Sequence, residues 1–70
     1  MSNAIWRLNA DYLAAYTEDP AVIAKVRRSY PDFLVMATYQ RDGQLTGIQY
    51  RLPSARKRVA KRVFNVVQIT

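Results

Sequence analysis

The pair Asp42-Gly43 constrains the fold of this chain most strongly, because it lies between two runs of strand-forming residues, 33–40 and 44–52. Asp-Gly is a preferred pair for a two-residue type I′ turn, in which both central residues adopt positive φ. Side chains alternate between apolar and mixed positions on both sides of the pair. The sequence therefore predicts a β-hairpin over residues 33–52.

A two-residue turn also predicts the register of this hairpin. Arg41 is expected opposite Gln44 and, by alternation, Val35 opposite Tyr50. One face is then almost wholly apolar and is expected to join the core: Phe33, Val35, Ala37, Tyr39, Thr46, Ile48, Tyr50 and Leu52. The other face is mixed and is expected to be half-exposed: Leu34, Met36, Thr38, Gln40, Leu45, Gly47, Gln49 and Arg51.

Two helices are predicted around the hairpin. Asp19-Pro20 indicates a helix start, with the carboxylate as N-cap and proline at the first helical position, and Pro31 indicates its end. The second helix is expected to begin after Pro53, with Ser54 as its cap, and to reach about residue 65. Its apolar arc comprises Ala55, Val59, Ala60, Val63, Phe64, Val66 and Val67.

The N-terminal region is less sharply patterned. Residues 4–8 read as a short strand, and residues 11–17 read either as a strand, which we favour, or as an alanine-rich helix. Residues 66–70 are β-branched and are expected to be extended. The predicted fold class is α+β, a small antiparallel sheet with two helices packed on one face, in a single domain spanning residues 1–70.

Composition limits how such a fold is held together. The chain has 70 residues and no cysteine, so disulfides and thiolate metal sites are excluded and a small core must suffice. A partner subunit would add buried surface, which makes a homodimer one option. No stretch reaches the ~20 apolar residues needed to span a bilayer, and no signal peptide pattern is visible. The expected location is cytoplasmic.

Catalysis is not expected. The chain contains neither histidine nor cysteine, the commonest general base and the best nucleophile. Asp19 and Asp42 are explained as a cap and a turn residue, and Asp32 follows Pro31 in a loop. Asp11 and Glu18 alone do not form a site. We therefore expect a non-enzymatic protein without a metal or another cofactor.

The net charge of +6 lies entirely in the last part of the chain. Residues 1–42 contain five basic and five acidic residues, whereas residues 43–70 contain six basic residues and no acidic one. A cluster of one sign attracts polyanions. Five of these six cations fall within seven positions and are the predicted nucleic-acid-binding residues: Arg56, Lys57, Arg58, Lys61 and Arg62.

A solvated helix face is the alternative interpretation of this cluster. Such faces usually mix charges, however, and here the cations repel one another near the end of the helix where the dipole also disfavours them. Polyanion binding is therefore favoured, and nucleic acid, either DNA or RNA, is the favoured polyanion because arginine fits phosphate oxygens well. A membrane is disfavoured, since the apolar arc is mostly valine and alanine.

The segment from Asp42 to Arg62 resembles the final strand and basic helix of double-stranded RNA-binding domains. Lys57, Arg58, Ala60 and Lys61 approximate the Lys-Lys-x-Ala-Lys-like start of that helix. The resemblance implies double-stranded RNA as the ligand. The chain departs from the family in its strand order and in placing acidic Glu18 and Asp19 before its first helix.

Two further surfaces separate the candidate partners. Trp6, Tyr12 and Tyr16 could stack on bases, but in so small a domain we expect them in the core. Leu34, Met36 and Leu45 share the mixed hairpin face, and if this face is open it favours a protein partner or a second copy. The alternative function is thus a protein–protein interaction module, an inhibitor or accessory subunit that docks on an acidic protein surface.

Overall fold

The computed structural model describes residues 3–69, and it shows an antiparallel sheet of four strands with two helices. The α+β class is therefore confirmed. The elements in chain order are β1 (Asn3–Arg7), β2 (Tyr12–Thr17), α1 (Pro20–Ser29), β3 (Leu34–Arg41), β4 (Gln44–Pro53), a 3₁₀ turn (Ser54–Arg56) and α2 (Lys57–Val63).

The strands lie in the order β1-β2-β4-β3, so that two hairpins are joined through β2 and β4. The segment 11–17 is a strand, as favoured over the helix, and it occupies an inner position of the sheet. Its Ala15 pairs with Ile5 on one side and with Tyr50 on the other. Leu13 and Ala15 are buried on this inner strand. Their burial stabilises the extended structure, although alanine has a high helix propensity.

The predicted turn of the central hairpin is confirmed, because Asp42 and Gly43 adopt φ of 53° and 79°. The register agrees with the prediction at both ends, where Arg41 pairs with Gln44 and Val35 with Tyr50. Between these ends it is shifted by one residue. Thr46 on β4 and Met36 on β3 are each left out of the pairing. Each omission is a bulge that shifts the register by one residue, and because the bulges lie on opposite strands the two shifts cancel.

Three residues predicted for the apolar face, Val35, Tyr39 and Thr46, are exposed instead. Val35 is 58% exposed and Tyr39 is 44% exposed. The shifted register pairs Tyr39 with Gly47 rather than with Thr46, which moves its side chain to the other face. Val35 keeps its predicted pairing, but β3 is the edge of the sheet and no strand covers its outer side.

The buried core brings strand residues together with residues of both helices. Its members are Ile5, Leu13, Ala15, Ile48, Tyr50 and Leu52 from the strands, Val26 from α1, Ala60 and Val63 from α2, and Phe64 directly after α2. Phe64 lies at its centre, with its ring 6.0 Å from Phe33 and 5.9 Å from Tyr50. A cluster of this size is what holds a chain without cysteine together.

The N-terminal aromatics lie outside this core, contrary to expectation. Tyr12 is exposed, and Trp6 and Tyr16 are half-buried. Trp6 pairs with Ala14, and Tyr16 pairs with Ala4, so both belong to the face opposite Ile5 and Ala15. The expectation rested on the small size of the domain, whereas strand alternation decides which face each side chain takes.

The first helix has the predicted ends. Asp19 caps it by accepting a hydrogen bond of 2.9 Å from the Ala21 amide, and Pro20 is its first residue. Tyr30 forms the C-cap directly before Pro31. Neither helix is long and apolar enough to cross a membrane within residues 3–69.

The second helix is shorter than predicted. Its first turn is 3₁₀, and Ser54 does not cap it, because the Ser54 hydroxyl donates to the carbonyl of Ala10 at 2.9 Å. At the other end Asn65 adopts a φ of 53°, and the Val66 amide donates to the carbonyl of Lys61 at 3.0 Å. This is a Schellman ending. Residues 66–69 have no regular structure, and Thr70 lies outside the described residues.

Candidate nucleic-acid interface

Four of the five predicted cations lie together on α2. The helix buries Ala60 and Val63 and is followed by buried Phe64, which fixes its orientation on the core. At about 100° per residue, Arg58 and Arg62 lie opposite these residues and Lys61 lies at the border. Lys57, three positions before Ala60, instead lies on their side in the first turn of the helix. Lys57, Arg58 and Arg62 are exposed and Lys61 is half-buried. We call these four residues the α2 cation cluster.

The α2 cation cluster is not neutralised by neighbouring carboxylates. None of its four members forms an ion pair with another residue in the range 3–69. The repulsion among these four cations, which the sequence predicts, is therefore not offset by ion pairs with carboxylates in residues 3–69. Such a surface gains favourable interactions from an anionic partner.

Arg56 stands apart from these four. Its Nε atom lies 2.8 Å from Oδ2 of Asp32 as an ion pair, outside the angular range of a hydrogen bond. Its guanidinium also lies 5.9 Å from the centre of the Tyr30 ring and 6.0 Å from that of Phe33. These contacts connect the start of α2 to the loop after α1. The charge of Arg56 is largely used inside the protein.

Arg7 is a cation near this helix that the sequence did not indicate. Its Nη1 atom donates to the Ser54 hydroxyl and to the carbonyl of Asn9, each at 3.3 Å. The contact exists because the β1–β2 loop lies against the start of the 3₁₀ turn, where the Ser54 amide donates to the carbonyl of Asp11. Only the folded arrangement of the sheet brings Arg7 to this end of α2.

Three of the five acidic residues have side-chain partners inside the protein: Glu18, Asp19 and Asp32. Glu18, which had no role in the sequence, accepts a hydrogen bond of 3.0 Å from the Tyr16 hydroxyl. Burial, together with this hydrogen bond and the charge of Glu18, raises the pKa of Tyr16 above its ordinary value. No group of three or more potential metal ligands occurs among residues 3–69.

The face of the sheet opposite the core carries the remaining aromatic side chains. Tyr39 meets Tyr16 edge to face with ring centres 5.6 Å apart, and Arg51 lies 4.5 Å from the centre of the Tyr12 ring. Gly47 lies beneath Tyr16, where a Cβ atom would lie 2.7 Å from Cζ of that ring, so a larger residue would displace the Tyr16 side chain. These contacts organise the face by packing among its own side chains.

Comparison of the chain with family models, with curated proteins and with solved structures finds no match. The resemblance of residues 42–62 to double-stranded RNA-binding domains therefore gains no support from these comparisons. What the protein does must be inferred from its own surface.

Proposed function

We propose that this is a small non-enzymatic protein that binds nucleic acid by contacting the phosphate backbone with the α2 cation cluster. The observation that carries the proposal is a group of four adjacent cations without ion-pair partners in residues 3–69, on a helix held by buried Ala60 and Val63. Because the core fixes the backbone of α2, little backbone ordering is needed when an anion binds.

The dimensions of α2 suit a short stretch of phosphate backbone. Seven residues at a rise of 1.5 Å give a helix of about 10 Å, which equals about three nucleotide steps of ~3.4 Å along the axis of a DNA duplex. Contacts of this kind position the protein but do not read sequence. We therefore place duplex DNA or RNA backbone, rather than particular bases, against this helix.

The proposal takes both helices to pack on one face of the sheet, as the sequence predicts. Its support is the core cluster, in which Val26 of α1 and Val63 of α2 join strand residues that share a single face. Three members of the α2 cation cluster, Lys57, Arg58 and Arg62, are exposed and therefore accessible to a large polyanion.

Charge reversal on α2 tests the proposal, with an equal reversal on α1 as control. Lys61→Glu with Arg62→Glu changes the net charge by the same amount as Lys25→Glu with Arg28→Glu, whose positions on α1 are exposed. Fluorescence polarisation with labelled duplex DNA, duplex RNA and single-stranded DNA measures affinity. We expect the α2 variant to lose at least ten times more affinity than the control.

Equal losses in the two variants would contradict a site on α2 and leave only a general effect of net charge. Circular dichroism melts of both variants establish that each is folded before affinities are compared. The three probes also separate duplex from single strand and DNA from RNA, which the charge cluster does not distinguish.

A protein partner with an acidic surface is the second candidate. Leu34, Met36 and Leu45 are 51%, 46% and 45% exposed, and exposed apolar side chains of this kind favour a protein partner or a homodimer. The absence of binding to all three nucleic-acid probes would favour this candidate, because the α2 cation cluster would then need an anionic partner of another kind.

A further inference from the structure

The strand β3 is an open edge of the sheet. It pairs only with β4, and no other backbone hydrogen bond to its residues is present within residues 3–69. Natural edge strands are usually blocked by charges, prolines or bulges. Residues 34–40 contain neither a charge nor a proline, and the pairing along them is irregular only at Met36 and between Tyr39 and Gln40.

An apolar groove lies beside this edge. A cavity of about 230 Å³ is bounded by α1 on one side and by β3 and β4 on the other, and its lining includes Ile23, Val26, Arg27, Tyr30, Phe33 and Val35. Val35 pairs with buried Tyr50, so its side chain belongs to the core face of the sheet. Because Val35 is nevertheless 58% exposed, the groove opens at the β3 edge.

The groove has a positive border. Helix α1 contains Lys25, Arg27 and Arg28 but no acidic residue. Of these cations, Arg27 lines the groove together with Tyr50. Burial raises the pKa of Tyr50, and the charge of Arg27 opposes this shift. The closest carboxylate in sequence after α1, Asp32, is paired with Arg56. An acidic occupant therefore fits this site, whereas a second copy with a net charge of +6 meets repulsion.

We propose that β3 and the adjoining groove bind an extended acidic segment of a partner protein. The segment adds a strand to β3 through backbone hydrogen bonds, and its alternate side chains point toward the groove. An apolar side chain enters the cavity next to Val35, and acidic side chains lie near Arg27. This site uses residues different from the α2 cation cluster and does not depend on nucleic-acid binding.

The probe is a set of fluorescein-labelled octapeptides in which Asp or Glu alternates with Val, Ile, Leu or Phe. Affinities are measured for the wild type, for Val35→Asp and for Val67→Asp, a matched control at an 85% exposed valine in the C-terminal tail. For the tightest peptide we expect at least tenfold weaker binding to Val35→Asp and less than a twofold change for Val67→Asp. Hydrogen exchange of β3 amides should slow when the peptide is bound.

Several results would overturn the proposal. The first is that no acidic octapeptide binds the wild type. The second is that peptides with lysine at the acidic positions bind with the same affinity. The third is that Val35→Asp and Val67→Asp lose equal affinity for the acidic peptide. A wild-type dimer in sedimentation that Val35→Asp dissociates would assign the edge to a second copy instead. If circular dichroism shows that Val35→Asp is unfolded, Val35→Thr is used instead, because threonine keeps the shape of the side chain. Unchanged peptide affinity of Val35→Thr would then overturn the proposal.

Duplex DNA binding distinguishes this proposal from that of α2. We expect Val35→Asp and Val67→Asp to bind duplex DNA equally, while Lys61→Glu with Arg62→Glu retains peptide binding to within the effect of its net charge. Loss of peptide binding and loss of DNA binding thus report on separate surfaces. One proposal can therefore be contradicted while the other still holds.

Discussion

Arg56 and Arg58 carry the same charge two positions apart, yet the fold uses them differently. Arg56 pairs with Asp32 and lies over two aromatic rings, whereas Arg58 is exposed without an ion pair inside residues 3–69. A half-exposed ion pair with cation–π contacts contributes about 1 kcal/mol. The first residue therefore serves stability, and the second is available for a partner.

Alanine substitutions separate these two roles. Arg56→Ala should lower the free energy of unfolding by about 1 kcal/mol and leave the salt dependence of DNA binding nearly unchanged. Arg58→Ala should leave stability unchanged and reduce the magnitude of the log–log salt slope by about one, which is the loss of one phosphate contact. Urea unfolding and salt titrations measure both. The reverse outcome would place Arg56 at the interface.

Tyr16 and Tyr50 predict a loss of stability in alkali. Burial is the largest cause that raises the pKa of each above the ordinary value of 10.0. In the unfolded chain these hydroxyls ionise first, so the stability they contribute is complete below pH 10 and is lost as pH rises through the folded pKa values.

The measurement is urea unfolding as a function of pH, for the wild type and for Tyr16→Phe. We expect the variant to lose less stability than the wild type above pH 10, because one of the two raised pKa values is removed. Identical pH profiles for Tyr16→Phe and the wild type would contradict the environment assigned to Tyr16.

The central hairpin depends on its turn. Gly43 has a φ of 79°, which a β-branched residue resists, so Gly43→Val should cost roughly 1 kcal/mol or more. Gln44→Val is the matched control, because Gln44 is exposed and does not have positive φ. Thermal melts should show a clear decrease in Tm for Gly43→Val alone. Equal melting temperatures for the two variants would exclude the type I′ turn.

Elements with strong local signals were predictable from the sequence. Asp42-Gly43 determined the hairpin turn, and Asp19-Pro20 with Pro31 determined both ends of α1. The end of α2 was not predictable in this way. Asn65 occupies a Schellman ending that helical periodicity does not mark, and Ser54 donates to a carbonyl of the β1–β2 loop, 44 residues away.

The two bulges in the β3–β4 pairing were also not predictable from local sequence patterns. Alternation predicts an unbroken register, whereas Thr46 and Met36 are omitted from it, and Tyr39 consequently changes face. Strand order is also a long-range property, so the exposure of Val35 at an edge was not predictable from its apolar character. The groove beside β3 could therefore not be predicted from the sequence.

At the scale of the whole molecule, charge and apolar surface are separated. The α2 cation cluster belongs to a helix whose Ala60 and Val63 are in the core, and the open apolar edge of β3 borders a different helix, α1. Charge clustering predicted four members of the first surface by position alone. It also predicted Arg56, whose contact with Asp32 spans 24 residues and depends on the tertiary fold.

The salt dependence of duplex DNA binding tests the central claim most directly. If Lys57, Arg58, Lys61 and Arg62 each neutralise about one phosphate, the slope of log affinity against log salt concentration should lie between about −3 and −4. Fluorescence polarisation of a labelled duplex across a series of salt concentrations gives this slope. We expect that value for the wild type and a slope about half as steep for Lys61→Glu with Arg62→Glu. An affinity insensitive to salt would contradict phosphate contacts by α2.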